Sequence, residues 1–185
     1  MDWTRWVHDV PDYPQPGVLF RDLTPLWANG EAWRLAADAL AADFLDRVGR
    51  RPEFVLAVEA RGFLVGQALA DRWGAGVLLA RKPGKLPRST YRQSYELEYG
   101  EADLELHDDS IPEGASLVIA DDVLATGGTA EATLRLAQEL GAELLGFCFL
   151  IELAALEGRE RLEELPISSL ITYATHGEPA LLPAR

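Results

Sequence analysis

The segment Leu117–Ala130, LVIADDVLATGGTA, carries the residues of this chain that are best suited to chemistry. An apolar run leads into two adjacent acids, Asp121 and Asp122, and a short spacer separates them from a Thr-Gly-Gly-Thr stretch. This pattern predicts a buried parallel strand that ends at the two acids and turns through a glycine loop into a helix. Because open parallel sheets bind ligands beyond the carboxyl ends of their strands, the segment marks a candidate ligand site.

The chemistry that this segment offers is recognition of a sugar phosphate. A glycine loop that opens a helix presents free backbone N–H groups and the positive end of the helix dipole to a phosphate. The two acids suit ribose hydroxyls or a metal ion carried by the ligand. Neither the P-loop, which needs a lysine after its glycines, nor the G-x-G-x-x-G spacing is present. The alternative is a tight turn with acids at a solvent edge.

One geometric condition applies to the paired acids. Side chains of neighbouring residues in a regular strand point to opposite faces of the sheet. Asp121 and Asp122 can therefore reach one ribose only if the strand ends between them.

Composition bounds the class of protein. The 185 residues fit one domain, residues 1–185, and 48% of them are apolar. The net charge of −13 argues against nucleic acid as a partner but allows a small anionic ligand in a locally basic pocket. No apolar run approaches the roughly 20 residues of a membrane span, and the charged N-terminus is unlike a signal peptide. These features favour a cytoplasmic protein with no membrane partner.

The cysteine and histidine residues give no metal or disulfide signal. The lone Cys148 lies in the apolar run LGFCFLIEL, which predicts a buried thiol in a strand. The three histidines, His8, His107 and His176, do not have the spacing of metal ligands.

The elements that must position the site alternate between strands and helices. This order predicts a doubly wound α/β sheet with right-handed crossovers. Helices are predicted over Glu31–Val48, Gly62–Trp73 and Thr129–Leu140 and near 153–162, and strands over Phe54–Ala60, from Gly76, around Phe147–Ile151 and, as an edge strand, near Leu170–Tyr173.

Two segments stand outside this alternation. Prolines at positions 11, 14 and 16 predict an extended N-terminal arm, residues 1–30, that packs over the domain. Residues 82–107 predict a flexible loop and an antiparallel hairpin. Lys82–Ser94 is basic, polar and expected to be mobile, and two stretches of period-two alternation follow it with a turn at Gly100–Glu101. In these stretches Tyr95, Leu97, Tyr99, Ala102, Leu104 and Leu106 alternate with Glu96, Glu98, Asp103 and Glu105.

The segment at Leu117–Ala130 resembles the phosphoribosyl pyrophosphate (PRPP) motif of type I phosphoribosyltransferases. Other stretches are similar to the adenine phosphoribosyltransferase branch of that family: PDYPQPGVLFRDLTPL, VEARGFLVGQALA, ARKPGKLP, SYELEYGEADLELH and LIELAALEGRERL. The resemblance covers about residues 11 to 170. It implies a type I phosphoribosyltransferase fold, with a central mostly parallel sheet flanked by helices, an antiparallel hairpin with its flexible loop, and the N-terminal arm as a hood.

The resemblance also implies a reaction and its participants. The 5-phosphoribosyl group passes from PRPP to N9 of adenine, giving AMP and pyrophosphate in purine salvage. The expected cofactor is Mg²⁺, held mainly by PRPP with Asp121 as a candidate contact, and the expected assembly is a homodimer. Remaining rivals are transfer to guanine, hypoxanthine, xanthine or orotate, and a PRPP-sensing regulator that binds DNA. No DNA-binding segment is evident in a chain with pI near 4.6.

Site residues follow from the same resemblance. Asp121 and Asp122 would hold the ribose hydroxyls, and the 5′-phosphate would bind Ala125, Thr126, Gly127, Gly128 and Thr129. Pyrophosphate would bind Ala60, Arg61, Arg81, Lys82 and Lys85, with a non-proline cis peptide expected between Ala60 and Arg61. The alternatives are a surface salt bridge for Arg61 and a solvated basic loop for Arg81, Lys82 and Lys85.

Base recognition and proton transfer complete the expected site. The backbone of Leu19, Phe20 and Arg21 would read adenine, with the Phe20 ring stacked on the base, because a fixed C=O and N–H pair leaves the polar groups of the wrong base unpaired. Glu98 would accept the proton that N9 loses. The alternative for Leu19–Arg21 is an apolar arm that packs on the core. The alternative for Glu98 is a place on the polar face of a hairpin. Position 88 is arginine in this chain, whereas the family usually has glycine there.

Overall fold

The computed structural model describes residues 1–96, 101–162, 165–174 and 179–181. Its helices are α1 (Thr24–Ala28), α2 (Gly30–Val48), α3 (Gly62–Trp73) and α4 (Gly128–Glu139), and short 3₁₀ turns span Thr4–Trp6, Ala154–Leu156 and Gly158–Arg161. Its strands are β1 (His8–Pro11), β2 (Leu19–Asp22), β3 (Phe54–Val58), β4 (Gly76–Ala80), β5 (Thr90–Glu96), β6 (Glu101–His107), β7 (Ser116–Leu124), β8 (Glu143–Leu153), β9 (Ile167–Tyr173) and β10 (Pro179–Leu181).

The central sheet confirms the predicted α/β architecture. Its strand order is β10-β9-β8-β7-β3-β4, and every pairing is parallel except that of β10 with β9. Strands β3, β7 and β8 read as nearly continuous apolar runs because both faces of a parallel sheet are covered. The carboxyl ends of β3 and β7, which carry the predicted site, lie side by side.

Helices cover the two faces of the sheet with separate hydrophobic cores. Helices α2 and α3 pack on one face, where the rings of Phe44 and Trp73 lie 5.3 Å apart. Helix α4 and the β5–β6 hairpin cover the other face, which buries Leu104 and Leu106. Cys148 is buried in β8, as predicted. Among the described residues, no helix is long and apolar enough to cross a membrane.

The N-terminal arm is more ordered than an extended segment. Strands β1 and β2 pair as an antiparallel hairpin, and the prolines fall in or beside its connection, where no helix forms. The arm is fixed to the domain at both ends, because Trp3 is buried and the Arg21 guanidinium lies 4.0 Å from the ring centroid of Tyr173 in β9.

Several predicted boundaries were wrong. Strand β5 starts at Thr90, inside the stretch expected to be mobile, because Thr90–Glu96 pairs residue by residue with β6. Strand β9 is not the edge of the sheet, since β10 pairs beyond it. Two 3₁₀ turns replace the short helix expected near residues 153–162, and Glu157 between them has φ 55°, which a regular helix does not allow.

Candidate functional site

The two acids of the motif do not end their strand, contrary to prediction. Strand β7 continues to Leu124, but its side chains stop alternating at the acids. Ala120 and Val123 both pack on the α2 side of the sheet, whereas regular alternation would place them on opposite faces. This change of phase lets the acids face one site without the strand ending between them.

Both carboxylates face the turn at the start of α3. Asp121 Oδ1 accepts the N–H of Asp122 at 2.8 Å, and a methyl group at Gly62 would lie 2.7 Å from that oxygen. Arg61 Nε lies 2.7 Å from Asp122 Oδ2. Glycine at position 62 is therefore needed for the helix to approach the acid, and the turn after β3 and the end of β7 form one site.

Burial shifts the titration of these acids. Burial, followed by the neighbouring Asp122 charge, raises the pKa of Asp121 well above its usual value of 3.8. Burial also raises the pKa of Asp122, and the Arg61 charge opposes that rise. Hydroxyl donors of a bound sugar would stabilise the charged carboxylates and oppose these rises in pKa.

The glycine loop forms a small cradle beside the acids. Gly127 has φ 84° and caps α4, a left-handed conformation that favours glycine. The helix begins at Gly128, one residue before the predicted start. A cavity of about 60 Å³ is lined by Asp121 and by the loop residues Ala125, Thr126, Gly127, Gly128 and Thr129. The first turn of α4 directs its N–H groups toward this end of the helix, which suits a phosphate.

Arg61 joins the arm to the acids. Its guanidinium carbon lies 5.2 Å from the ring centroid of Phe20, and its Nε reaches the buried Asp122. A surface salt bridge is therefore an incomplete description of Arg61. The contact brings Phe20, the only ring among the three predicted adenine residues, to the edge of the predicted ribose site.

The expected position of the cis peptide was wrong by one residue. Strand β3 ends at Val58, two residues before the predicted Ala60, so the turn begins earlier than the sequence indicates. The non-proline cis bond joins Glu59 and Ala60 instead of Ala60 and Arg61.

The predicted pyrophosphate residues after β4 are attached to the same turn. Glu59 Oε2 accepts Arg81 Nε at 3.2 Å and the Lys82 N–H at 3.0 Å, and Arg81 Nη1 donates to the Lys85 carbonyl at 3.1 Å. Burial raises the pKa of Glu59, but the bonds from Lys82 and Arg81 outweigh it and leave the pKa below its usual value. The carboxylate thus holds the basic segment beside Ala60 and Arg61.

Glu105 is a structural residue that the hairpin pattern assigned to the exposed face. It is buried, because its carboxylate accepts the Gly84 N–H at 3.0 Å and Arg92 Nη2 at 2.6 Å. Its backbone also pairs with Arg81 through bonds of 2.9 and 2.7 Å. The cross-strand pair of Arg92 and Glu105 is the signal that could have identified it.

Other predicted residues are placed away from the acids or fall outside the described part of the chain. The Arg21 side chain packs over Tyr173 and pairs with Asp9, so it is directed to β9 and to the arm itself. Arg88 forms an ion pair with Asp109. Glu98 lies outside the described residues.

The donor set fits a Mg²⁺ ion that arrives with its ligand. Within the described ranges, no three His, Cys, Asp or Glu side chains cluster as a metal cage. Mg²⁺ is usually bound by one or two carboxylates together with substrate phosphates and water. Asp121, which lines the glycine-loop cavity, and the adjacent Asp122 would supply carboxylate oxygens of that kind.

Comparison with known proteins agrees with this geometry. Residues 28–180 match the model of the phosphoribosyl transferase domain. The adenine phosphoribosyltransferase of Thermotoga maritima is 47% identical over 173 residues, which cover 94% of this chain and 98% of that protein. The Synechocystis enzyme of the same name is 46% identical over 94% of this chain and 100% of its own length.

Solved structures give the same result. Adenine phosphoribosyltransferase from Thermoanaerobacter pseudethanolicus superposes with a TM-score of 0.87 at 43% identity, covering 91% of this chain and 96% of that chain. The Saccharomyces cerevisiae enzyme, solved with an imino-altritol bisphosphate and adenine, gives a TM-score of 0.87 at 34% identity over 91% of this chain and 96% of that chain. The chain belongs to the phosphoribosyltransferase family, in its adenine phosphoribosyltransferase branch.

Proposed function

We propose that this protein transfers the 5-phosphoribosyl group of PRPP to N9 of adenine and releases AMP and pyrophosphate. The carrying observation is that Arg61 joins the buried acid Asp122 to Phe20 of the arm, next to the glycine cradle. Purified protein with PRPP, Mg²⁺ and adenine should form AMP and pyrophosphate in equal amounts. Ribose 5-phosphate in place of PRPP is the control. AMP formed without an equal amount of pyrophosphate would contradict this chemistry.

We assign the parts of PRPP to three groups of residues. The N–H groups of the loop at Thr126–Thr129 bind the 5′-phosphate, and Asp121 and Asp122 accept the ribose hydroxyls. Arg61 and the segment Arg81–Lys85 neutralise the charge that develops on the departing pyrophosphate. Mg²⁺, when bound with PRPP, adds positive charge on the leaving group. These residues therefore favour rupture of the anomeric bond while the sugar stays fixed.

Adenine recognition rests on the open edge of β2. Within the described residues, β2 has a strand partner, β1, on one edge. We assign adenine to the backbone of Leu19–Arg21, because the edge of a strand presents C=O and N–H groups to a ligand beside it. Adenine offers a donor at N6 and an acceptor at N1, whereas 6-oxopurines offer the reverse. A fixed backbone edge can make this choice because the wrong base leaves buried polar groups unpaired.

Replacing Phe20 with alanine tests the base assignment. Loss of a stacked ring should raise KM for adenine about tenfold, since stacking of an aromatic ring on a base contributes roughly 1–3 kcal/mol. KM for PRPP in the same variant serves as the internal control and should change little. Steady-state kinetics with each substrate varied in turn measure both. An unchanged KM for adenine would remove Phe20 from the base site.

Replacing Glu98 with glutamine tests proton transfer. The variant should lose about 100-fold in kcat, the low end of a general base contribution, with KM for both substrates nearly unchanged. Glu96→Gln is the matched control, because Glu96 lies on the same predicted hairpin face. Equal effects of the two substitutions would leave Glu98 as a hairpin residue only.

We propose a homodimer as the working assembly. Leu64 on α3 and Leu79 on β4 are large apolar residues with 48% and 38% of their surface exposed. Contact with a second subunit would bury these side chains, which is favourable in proportion to the apolar area removed from water. Sedimentation velocity separates a dimer from the 20.3 kDa monomer.

The proposed setting is cytoplasmic purine salvage. The single cysteine is buried and cannot form an internal disulfide, which is compatible with a reducing compartment. Fractionation of cells that express the protein, followed by detection with a specific antibody, tests this location. Recovery in a membrane or secreted fraction would contradict it.

A further inference from the structure

The loop that cradles the phosphate rests on a second glycine, Gly158, in the segment after β8. A Cβ atom at Gly158 would lie 2.1 Å from the Ala125 carbonyl oxygen and 2.8 Å from the Gly127 nitrogen. A Cβ atom at Gly127 would lie 2.4 Å from the Gly158 carbonyl oxygen. The two backbones therefore meet without room for a side chain on either.

Gly158 is held in place by a buried carboxylate. Glu152, near the end of β8, is buried and accepts Arg159 Nε at 2.8 Å and Nη2 at 2.6 Å. Ser169 Oγ on β9 donates to the same carboxylate at 2.9 Å. Both oxygens of Glu152 are thus used, and the residue next to Gly158 is tied to the rigid sheet.

The segment that contains Gly158 is also attached to the domain at its C-terminal end. Leu162 is fully buried in the core under α4, and Arg161 Nη1 lies 3.4 Å from Glu131 Oε2 in the first turn of α4. The segment therefore contacts the loop before α4 and the start of the helix itself. A displacement of Gly158 would move the loop relative to the acids at the end of β7.

We propose that Gly158 and Arg159 are positioning residues for the 5′-phosphate. Gly158 sets the position of the loop, and the Glu152–Arg159 ion pair sets the position of Gly158. This inference rests on the proposed function, because it assigns the loop to the phosphate of PRPP. The inference concerns only one end of PRPP. The contact between Gly158 and the loop supports the proposed 5′-phosphate site, whereas Arg61 and Arg81 of the proposed pyrophosphate site lie on other elements.

Gly158→Ala tests the contact directly. KM for PRPP and the inhibition constant of ribose 5-phosphate should rise together by about tenfold or more, because a displacement of about 1 Å at a binding site has effects up to about 100-fold. The inhibition constant of pyrophosphate and KM for adenine should stay within about twofold of wild type. Gly30→Ala is the matched control, since a Cβ atom at Gly30 meets nothing within 4 Å.

Arg159→Gln provides a second test that does not place a side chain in the contact. It should weaken ribose 5-phosphate binding in the same selective way, and Arg159→Lys should recover part of that binding by restoring the charge. Arg34→Gln is the control, because Arg34 also pairs with an acid, Asp38, but lies on α2. Circular dichroism establishes that each variant is folded at the assay temperature.

Calorimetric titration with ribose 5-phosphate measures binding without turnover, so it tests this inference independently of the proposed function. Wild-type protein that bound ribose 5-phosphate but made no AMP would contradict the function and leave the positioning test intact. Unchanged ribose 5-phosphate affinity in both Gly158→Ala and Arg159→Gln would overturn the inference. Equal weakening of ribose 5-phosphate and pyrophosphate would also overturn it, because that result indicates general damage.

Discussion

Replacing Asp121 and Asp122 together with asparagine is expected to raise KM for PRPP about 1,000-fold. Hydrogen bonds to a charged group contribute roughly 1.5–3 kcal/mol each, and the variant loses two charged acceptors for the ribose hydroxyls. The loss is expected in binding of ribose 5-phosphate as well, while KM for adenine should change little. Isothermal titration with PRPP and with ribose 5-phosphate measures both affinities without turnover.

The same variant should be more stable than wild type at neutral pH. The folded-state pKa of Asp121 lies above its unfolded value of 3.8, so the folded protein binds more protons in the window between the two values. Free energy of unfolding therefore falls as pH rises through that window. Asparagine removes this cost, so thermal unfolding should show a higher Tm near neutral pH and a weaker dependence on pH.

A matched pair of acids controls for the change in charge. Asp108 and Asp109 are also adjacent, but both are exposed in the turn after β6. Their double replacement by asparagine removes the same charge and should leave PRPP affinity unchanged. Normal PRPP affinity in the variant of Asp121 and Asp122 would refute the ribose assignment.

Arg61→Ala is expected to lower kcat/KM for PRPP by about 1,000-fold. Removal of one group that stabilises transition-state charge costs roughly 100- to 1,000-fold, and this substitution also leaves the buried Asp122 without its cation. Because the Arg61 charge opposes the rise in the pKa of Asp122, that pKa should rise further in the variant. The pH profile of kcat/KM for PRPP should therefore shift toward higher pH.

Two other substitutions define what Arg61 contributes. Arg61→Lys keeps a charge without the planar fork, so it should recover activity only in part. Arg34→Ala removes an exposed arginine paired with Asp38 on α2 and should have no effect. Activity of Arg61→Ala within about tenfold of wild type, with an unshifted pH profile, would leave Arg61 as a structural ion pair.

The sequence was sufficient to predict the sheet and to place the two acids and the glycine loop near the carboxyl end of a buried strand. The apolar runs in β3, β7 and β8 are recognisable in the sequence because strands covered on both faces need apolar residues. The glycine loop is recognisable because a left-handed backbone conformation favours glycine. The adjacency of Arg61 and Asp122 could be expected from two neighbouring strand ends. The break in side-chain alternation at Asp121 could not be predicted from the sequence, since it depends on how β7 packs between its neighbouring strands.

Contacts between distant segments were the least predictable features. Glu105 looked like an exposed hairpin residue, yet its carboxylate is satisfied by Gly84 and Arg92, which lie 21 and 13 positions away. Gly158 gave no signal as a partner of Gly127, because close approach of two backbones depends on tertiary structure. The arm was predicted as extended, and the pairing of β1 with β2 was missed because its connection is rich in proline.

The most direct test of the central claim is product formation from PRPP and Mg²⁺ with adenine, hypoxanthine, guanine, xanthine and orotate offered separately. Chromatography of the nucleotide products identifies the base that is accepted. We expect AMP from adenine and no nucleotide from the other bases, because the proposed backbone contacts at β2 match the N6 donor and N1 acceptor of adenine. Nucleotide formation from a 6-oxopurine or orotate at a rate equal to that from adenine would contradict the adenine assignment.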